Sequence, residues 1–197
     1  MTAAGTVIPA DVTYKIEKID MIPSIKRSLD VRLSRPVSED ILRAIAIQLK
    51  NSDQRVYDRT FISYYLPGME IGSDGWATSH FDPDLKVSVN GLLVRDEATI
   101  TKALLNETRN PSRRVIGRWL DETSFGSGIS LYRENGVIFL YQKWKDGSSR
   151  RVRIVKLGQR FKQRESEGSG DYFQIDQQGN LQVRDQRGLI LTAKRVR

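Results

Sequence analysis

The chain has 197 residues, 39% hydrophobic and 28% charged, with a formal net charge of +8, proportions of a globular protein that exclude collagen-like, low-complexity and membrane-embedded classes. It has no cysteine, so disulfides, thiolate nucleophiles and Cys-bound zinc or iron–sulfur sites are excluded. His80 is the one histidine, which removes any two-His metal site within the chain and any Ser-His-acid arrangement not built on that residue.

The segment Met1 to Ala10 has neither the basic n-region nor the apolar run of a signal peptide, and no stretch has the roughly 20 apolar residues of a membrane helix. A chain without a membrane span is expected; a cytoplasmic location is favoured, and a mature exported form also fits. Val12 to Ile22 and Ile25 to Val37 read as strands joined at Pro23-Ser24, with Tyr14 and Ile16, then Leu29, Val31 and Leu33, alternating along them. Ser38 is a suitable N-cap, Glu39 and Asp40 suit a first helical turn, and Ile41, Leu42, Ile45, Ala46 and Leu49 recur at helical spacing through Lys50. The β-branched and aromatic run Val56 to Leu66 ends at Pro67-Gly68, and Trp76 to Phe81 and Leu85 to Val89 follow as short strands. A ββαβββ unit results, read as an antiparallel sheet, and Asp96 is expected to cap a second helix from Glu97 to Asn106 with Ile100, Ala103 and Leu104 inward.

Asn106 to Ser112 interrupts the apolar pattern and is the expected boundary between an α+β unit, residues 1–108, and a second part, residues 109–197. The second part reads as alternation and tight turns. Arg114 to Asp121, Ile129 to Arg133, Val137 to Lys145, Arg150 to Leu157, Tyr172 to Ile175, Leu181 to Arg184 and Leu189 to Val196 alternate as strands. Asn135-Gly136, Asp146-Gly147, Gly179-Asn180 and Arg187-Gly188 supply turns, the first suited to a type I′ turn with positive φ at both central residues. Six to seven short strands predict an antiparallel β-meander or small barrel, whose interior has room only for side chains. Gln163 to Gly170 reads as a polar loop. The fold class is therefore α+β, an N-terminal ββα-type sheet unit plus a C-terminal meander.

Charge divides the chain at the same place. Up to Asn110 there are 14 basic and 15 acidic residues, whereas from Pro111 onward there are 18 and 9. Arg150, Arg151, Arg153, Lys156, Arg160, Lys162 and Arg164 fall within fifteen residues containing no acid, with Arg113, Arg114 and Arg118 before them and Lys194, Arg195 and Arg197 after. This run is a candidate anion-binding face, because Lys and Arg contact phosphates and a basic excess favours polyanions. The same cations also serve solubility and edge protection in a sheet. In Arg151 to Val155 both arginines share one face and Val152 and Ile154 the other, and Arg160, Lys162 and Arg164 keep the same period, so a neighbouring strand can extend the surface. Tyr141, Trp144, Tyr172 and Phe173 are available for base stacking.

Chemistry-bearing residues concentrate between Gly68 and Asp84, where Glu70, Asp74, Ser79, His80, Asp82 and Asp84 occur. A hydrolase would pair Thr78 or Ser79 with His80 and a carboxylate, but strand neighbours face opposite ways, so Ser79 and His80 diverge. The carboxylates lack the order of a calcium loop, and neither a P-loop nor a G-x-G-x-x-G turn occurs before a helix, so no metal or cofactor is expected. Gly117-Arg118-Trp119 in the first strand of the meander resembles the Gly-x-Trp of lipocalin-like barrels, a resemblance that implies a barrel with the Trp closing its base. Thr60 to Met69, Trp76 to Phe81 and Gly170 to Ile175, with Gly179 to Leu181 and Gly188 to Ile190, resemble stretches of uncharacterised bacterial and mobile-element proteins; this supports the architecture and implies no activity. The expectation is a non-enzymatic binding module whose basic β surface takes an anionic macromolecule, nucleic acid or acidic protein. The alternatives are a mobile-element or host-interaction protein that binds another protein, and a hydrolase centred on His80. Oligomeric state is not legible.

Overall fold

A computed structural model describes residues 6–123, 126–163 and 170–196. The chain is α+β, mostly β, and divides into two compact units, Met1–Val94 and Arg95–Arg197.

The first unit contains β1 (Tyr14–Ile22), β2 (Lys26–Leu33), α1 (Glu39–Asn51), β3 (Arg59–Tyr65), β4 (Ala77–Phe81) and β5 (Leu85–Val89). The five strands lie side by side in chain order, but β2 and β3 are parallel, so the sheet is mixed and not antiparallel as the sequence suggested. The cause is α1, which forms the crossover that parallel neighbours require. The Ser38 hydroxyl accepts from the Ile41 N–H at the helix start. One face of α1 buries Leu42, Ile45, Ala46 and Leu49 in the core that also holds Leu29, Val31, Leu33, Ile62, Tyr64 and Trp76. At the far end of the helix, the buried Arg27 donates to the Leu49 carbonyl at 2.9 Å and to the Ser52 hydroxyl at 3.3 Å, satisfying one carbonyl of the last turn.

The second unit begins with α2 (Val94–Glu107), which starts ahead of the expected cap, so Asp96 lies in its first turn and does not cap it. Eight strands follow: β6 (Arg113–Asp121), β7 (Ser127–Glu134), β8 (Val137–Trp144), β9 (Ser149–Leu157), β10 (Arg160–Gln163), β11 (Tyr172–Ile175), β12 (Leu181–Arg184) and β13 (Leu189–Arg195). Each pairs antiparallel with the next and β13 pairs with β6, closing a barrel. The expected six to seven strands are thus eight, the addition being β10. Asn135 and Gly136 have φ values of 49° and 80°, the turn that joins β7 to β8.

Alternation fills the interior with Trp119, Ile129, Leu131, Leu140, Ile154, Phe161, Phe173 and Leu181. Trp119 is fully buried and its Nε1 donates to the Gly179 carbonyl at 2.7 Å. The ring fits because Gly117, two residues earlier on the same face, has no side chain: a Cβ there would stand 2.4 Å from the indole. On the outside, α2 packs over Gly128, where a Cβ would meet Ile100 at 2.3 Å. Polar clamps hold the helix end: Tyr132 donates to Glu107 Oε1 at 2.8 Å, and Arg118 Nε donates to the Thr108 hydroxyl at 2.8 Å.

Candidate anion-binding surface

The pleat of β9 separates its residues as the alternation requires. Ile154 is buried and Val152 half-buried, while Arg151 and Arg153 are exposed together on the outer wall. Their cross-strand partners on β8 are Tyr141 and Phe139. On the other side, β10 places Arg160 opposite Leu157 and Lys162 opposite Val155, with Phe161 turned into the core. Arg160 is exposed and Lys162 half-exposed, and the Arg160 guanidinium lies 4.5 Å from the centre of the Tyr172 ring on β11. Leu157, Gln159, Arg160, Lys162 and Gln174 line a shallow depression of about 450 Å³. Among the described residues, no carboxylate forms an ion pair with Arg153, Arg160 or Lys162.

Arg151 is different. It bonds Glu134 and stacks 3.9 Å from the Phe139 ring centre. Glu134 also takes Arg113 Nε at 2.8 Å, and the Arg113 guanidinium, with Arg151 beside it, holds the Glu134 carboxyl below the usual range. Arg113 reaches Glu107 as well, at 2.7 Å, so this cation is internally neutralised against α2. Burial, together with the hydrogen bond to Glu107, pushes the Tyr132 hydroxyl up to about 12.

The remaining basic candidates leave the wall. Arg150 pairs with Gln142, donates to its Oε1 at 3.0 Å and lies 5.6 Å from the Trp144 ring, at one end of the barrel. Lys156 and Arg114 sit around the opposite end. Arg164 and Arg197 lie outside the described residues. The six described cations of the run, Arg150 to Lys162, therefore do not make one face, because strand neighbours alternate between wall and interior and strand ends project to opposite rims. Of the aromatic residues, Tyr141 and Tyr172 are half-buried, and Phe173 belongs to the core. Arg133, not singled out in the sequence, joins Arg114 and Lys156 at their rim. The signal that finds it is register: once β6 pairs with β7, Arg133 stands directly opposite Arg114.

In the first unit, His80 stacks on Phe61 with ring centres 4.2 Å apart and has Asp82 3.8 Å from its Nε2. Ser79 is buried on the other face, its hydroxyl accepting from Tyr64 at 3.1 Å. The two diverge as the pleat demands. Glu70, Asp74, Asp82 and Asp84 do not assemble a set of three metal-ligating groups among the described residues. Among the described residues, no helix is long and apolar enough to cross a membrane.

Compared with protein-family models, curated proteins and solved structures, the chain gives no match.

Proposed function

We propose that the second unit is a non-enzymatic binding module whose outer wall, across β9, β10 and β11, takes the phosphate backbone of nucleic acid. The observation that carries this reading is the set Arg153, Arg160 and Lys162, displayed on adjacent strands with no carboxylate partner among the described residues. Cations left unneutralised are free to release counterions from a polyanion, which is the main source of sequence-independent affinity. Arg151 borders the set, and Tyr172 beneath Arg160 supplies a ring edge for a base. Gly117 and Trp119 on the first strand of an eight-stranded sequential barrel support the likeness to lipocalin-like barrels as a likeness of architecture.

The test is binding of single-stranded DNA, duplex DNA and RNA oligonucleotides titrated with salt. The wild type should bind with a steep salt dependence, and each of Arg153→Gln, Arg160→Gln and Lys162→Gln should lower the slope of log K against log salt by about one, alike for all sequences. Salt-independent binding, no binding at low salt, or capture of an acidic protein in preference to all three oligonucleotides would overturn it.

A further inference from the structure

One end of the barrel holds a cavity of about 490 Å³ with an unusual composition. Its apolar lining is Ile116, Ile138 and Phe161, which belong to the barrel core or pack against it, with Val115 beside them. Its rim is cationic: Arg114, Arg133 and Lys156 surround the opening. A second hollow of about 330 Å³ shares Arg133, Ile138 and Lys156 and is bordered by Arg153. Leu131, Leu140, Ile154 and Phe173 are buried in the core of the same barrel.

Three features set this rim apart from a solvated basic surface. Arg114 and Arg133 are directly opposed in the β6–β7 ladder, an arrangement that destabilises a sheet when both partners carry the same sign. Their neighbours Arg113 and Glu134 point to the outer side, where they bond each other and Arg113 also bonds Glu107, so Glu134 is engaged away from the inward pair. Among the described residues, no carboxylate pairs with Arg114, Arg133 or Lys156. The fold thus gathers three cations, without a carboxylate partner among the described residues, around an apolar hollow whose size is that of an ordinary small-molecule site.

We propose that this end of the barrel binds a small amphipathic anion, a phosphate or carboxylate head on a short apolar body. The head bridges Arg114 and Arg133, whose guanidinium forks match the two oxygens of such a group. Lys156 adds a point charge, and the apolar body covers Ile116, Ile138 and Phe161. The head supplies the counter-charge that the ladder lacks, so binding and stability are linked: the unliganded protein carries a like-charge repulsion that ligand removes. This site is separate from the wall of β10 and stands whether or not the wall binds nucleic acid.

Octyl phosphate below its micelle concentration is the probe, with inorganic phosphate and 1-octanol as its two halves, measured by calorimetry and by thermal melting of the full chain. Octyl phosphate should bind at least ten times more tightly than either half and raise the melting temperature. Arg114→Gln and Arg133→Gln should each weaken octyl phosphate tenfold or more while raising the melting temperature of the unliganded protein at low salt, a pairing of effects that misfolding cannot produce. Arg160→Gln and Lys162→Gln should leave octyl phosphate affinity unchanged. Inorganic phosphate binding as tightly as octyl phosphate, octanol binding as tightly as octyl phosphate, or full affinity in the Arg114→Gln/Arg133→Gln variant would each overturn the proposal.

Discussion

Replacing Gly117 by Ala tests how the barrel core is assembled. The added Cβ would stand 2.4 Å from Cη2 and Cζ2 of Trp119, and both atoms belong to a fully buried ring. Carbon atoms pack at about 3.5–4.0 Å, so the overlap exceeds about 1 Å and neither partner has free space to yield into. The indole must tilt, and tilting it breaks the bond from Nε1 to the Gly179 carbonyl. Overpacking strain of about 1–3 kcal/mol and a lost hydrogen bond of about 0.5–1.5 kcal/mol predict a loss of roughly 2–4 kcal/mol. Urea unfolding followed by far-UV circular dichroism measures it, with amide exchange in β6–β13 assigning the transition to the barrel. The Trp119→Phe background supplies the control, because a phenyl ring has no atoms at Cη2 and Cζ2. There, Gly117→Ala should cost under about 1 kcal/mol, giving a coupling energy within the range of about 0.5–3 kcal/mol seen for contacting residues. Equal costs in the two backgrounds, or a loss below about 0.5 kcal/mol in the wild type, would refute the stacked Gly–Trp account.

Two further substitutions probe buried polar groups. Asp121 is fully buried with one carboxylate oxygen taking the Thr123 N–H at 2.9 Å and the other without a partner among the described residues, and burial pushes its carboxyl up from the ordinary range. The folded state therefore holds this proton more tightly than the unfolded chain, so the contribution is favourable below the ordinary aspartate range and is lost as pH rises through the raised value. Asp121→Asn should flatten that segment of the stability–pH curve and raise stability at pH 7, as pH-dependent urea midpoints will show; an unchanged slope would contradict the assignment. Arg27→Met should cost about 1.5–3 kcal/mol, since it removes charge-assisted bonds to Leu49 and Ser52 at the end of α1, and amide exchange should quicken first in the last turn of that helix.

Turn chemistry made much of the second unit legible. Asn135-Gly136 fixed one hairpin, and β11 and β12 begin and end where the sequence alternation does, at Tyr172–Ile175 and Leu181–Arg184. Ser38 and the spacing of Leu42, Ile45, Ala46 and Leu49 gave α1 in the same way. Strand direction was not legible, because alternation is identical in parallel and antiparallel pairs and only the crossover through α1 distinguishes them. The strand β10 escaped for another reason: Arg160, Phe161, Lys162 and Gln163 hold a single apolar residue, too few to show a period, and Phe161 meets Phe173 across the ladder only once the barrel forms. Charge was legible as a total and misleading as a run. The six described cations from Arg150 to Lys162, close in sequence, separate because consecutive residues face opposite sides of a sheet, whereas Arg133, remote in sequence, is brought to Arg114 by pairing alone.

That separation gives the two cationic regions different geometries and hence different guests. On the wall, Arg160 and Lys162 are two residues apart along one strand, about 6.7 Å at the usual rise, and Arg153 is exposed one strand over, so these charges are spread over adjacent strands with outward-directed heads. Divergent cations suit an extended polyanion that meets them one phosphate at a time. At the rim, Arg114, Arg133 and Lys156 converge on one hollow with an apolar lining, which suits a compact head carrying its own apolar body. Competition distinguishes one continuous basic surface from two independent ones. Saturating octyl phosphate should leave oligonucleotide affinity within a factor of two of its value at the same ionic strength, and an oligonucleotide should leave octyl phosphate affinity equally unmoved. Displacement of either by the other would show that Arg153, which borders both regions, joins them into a single site.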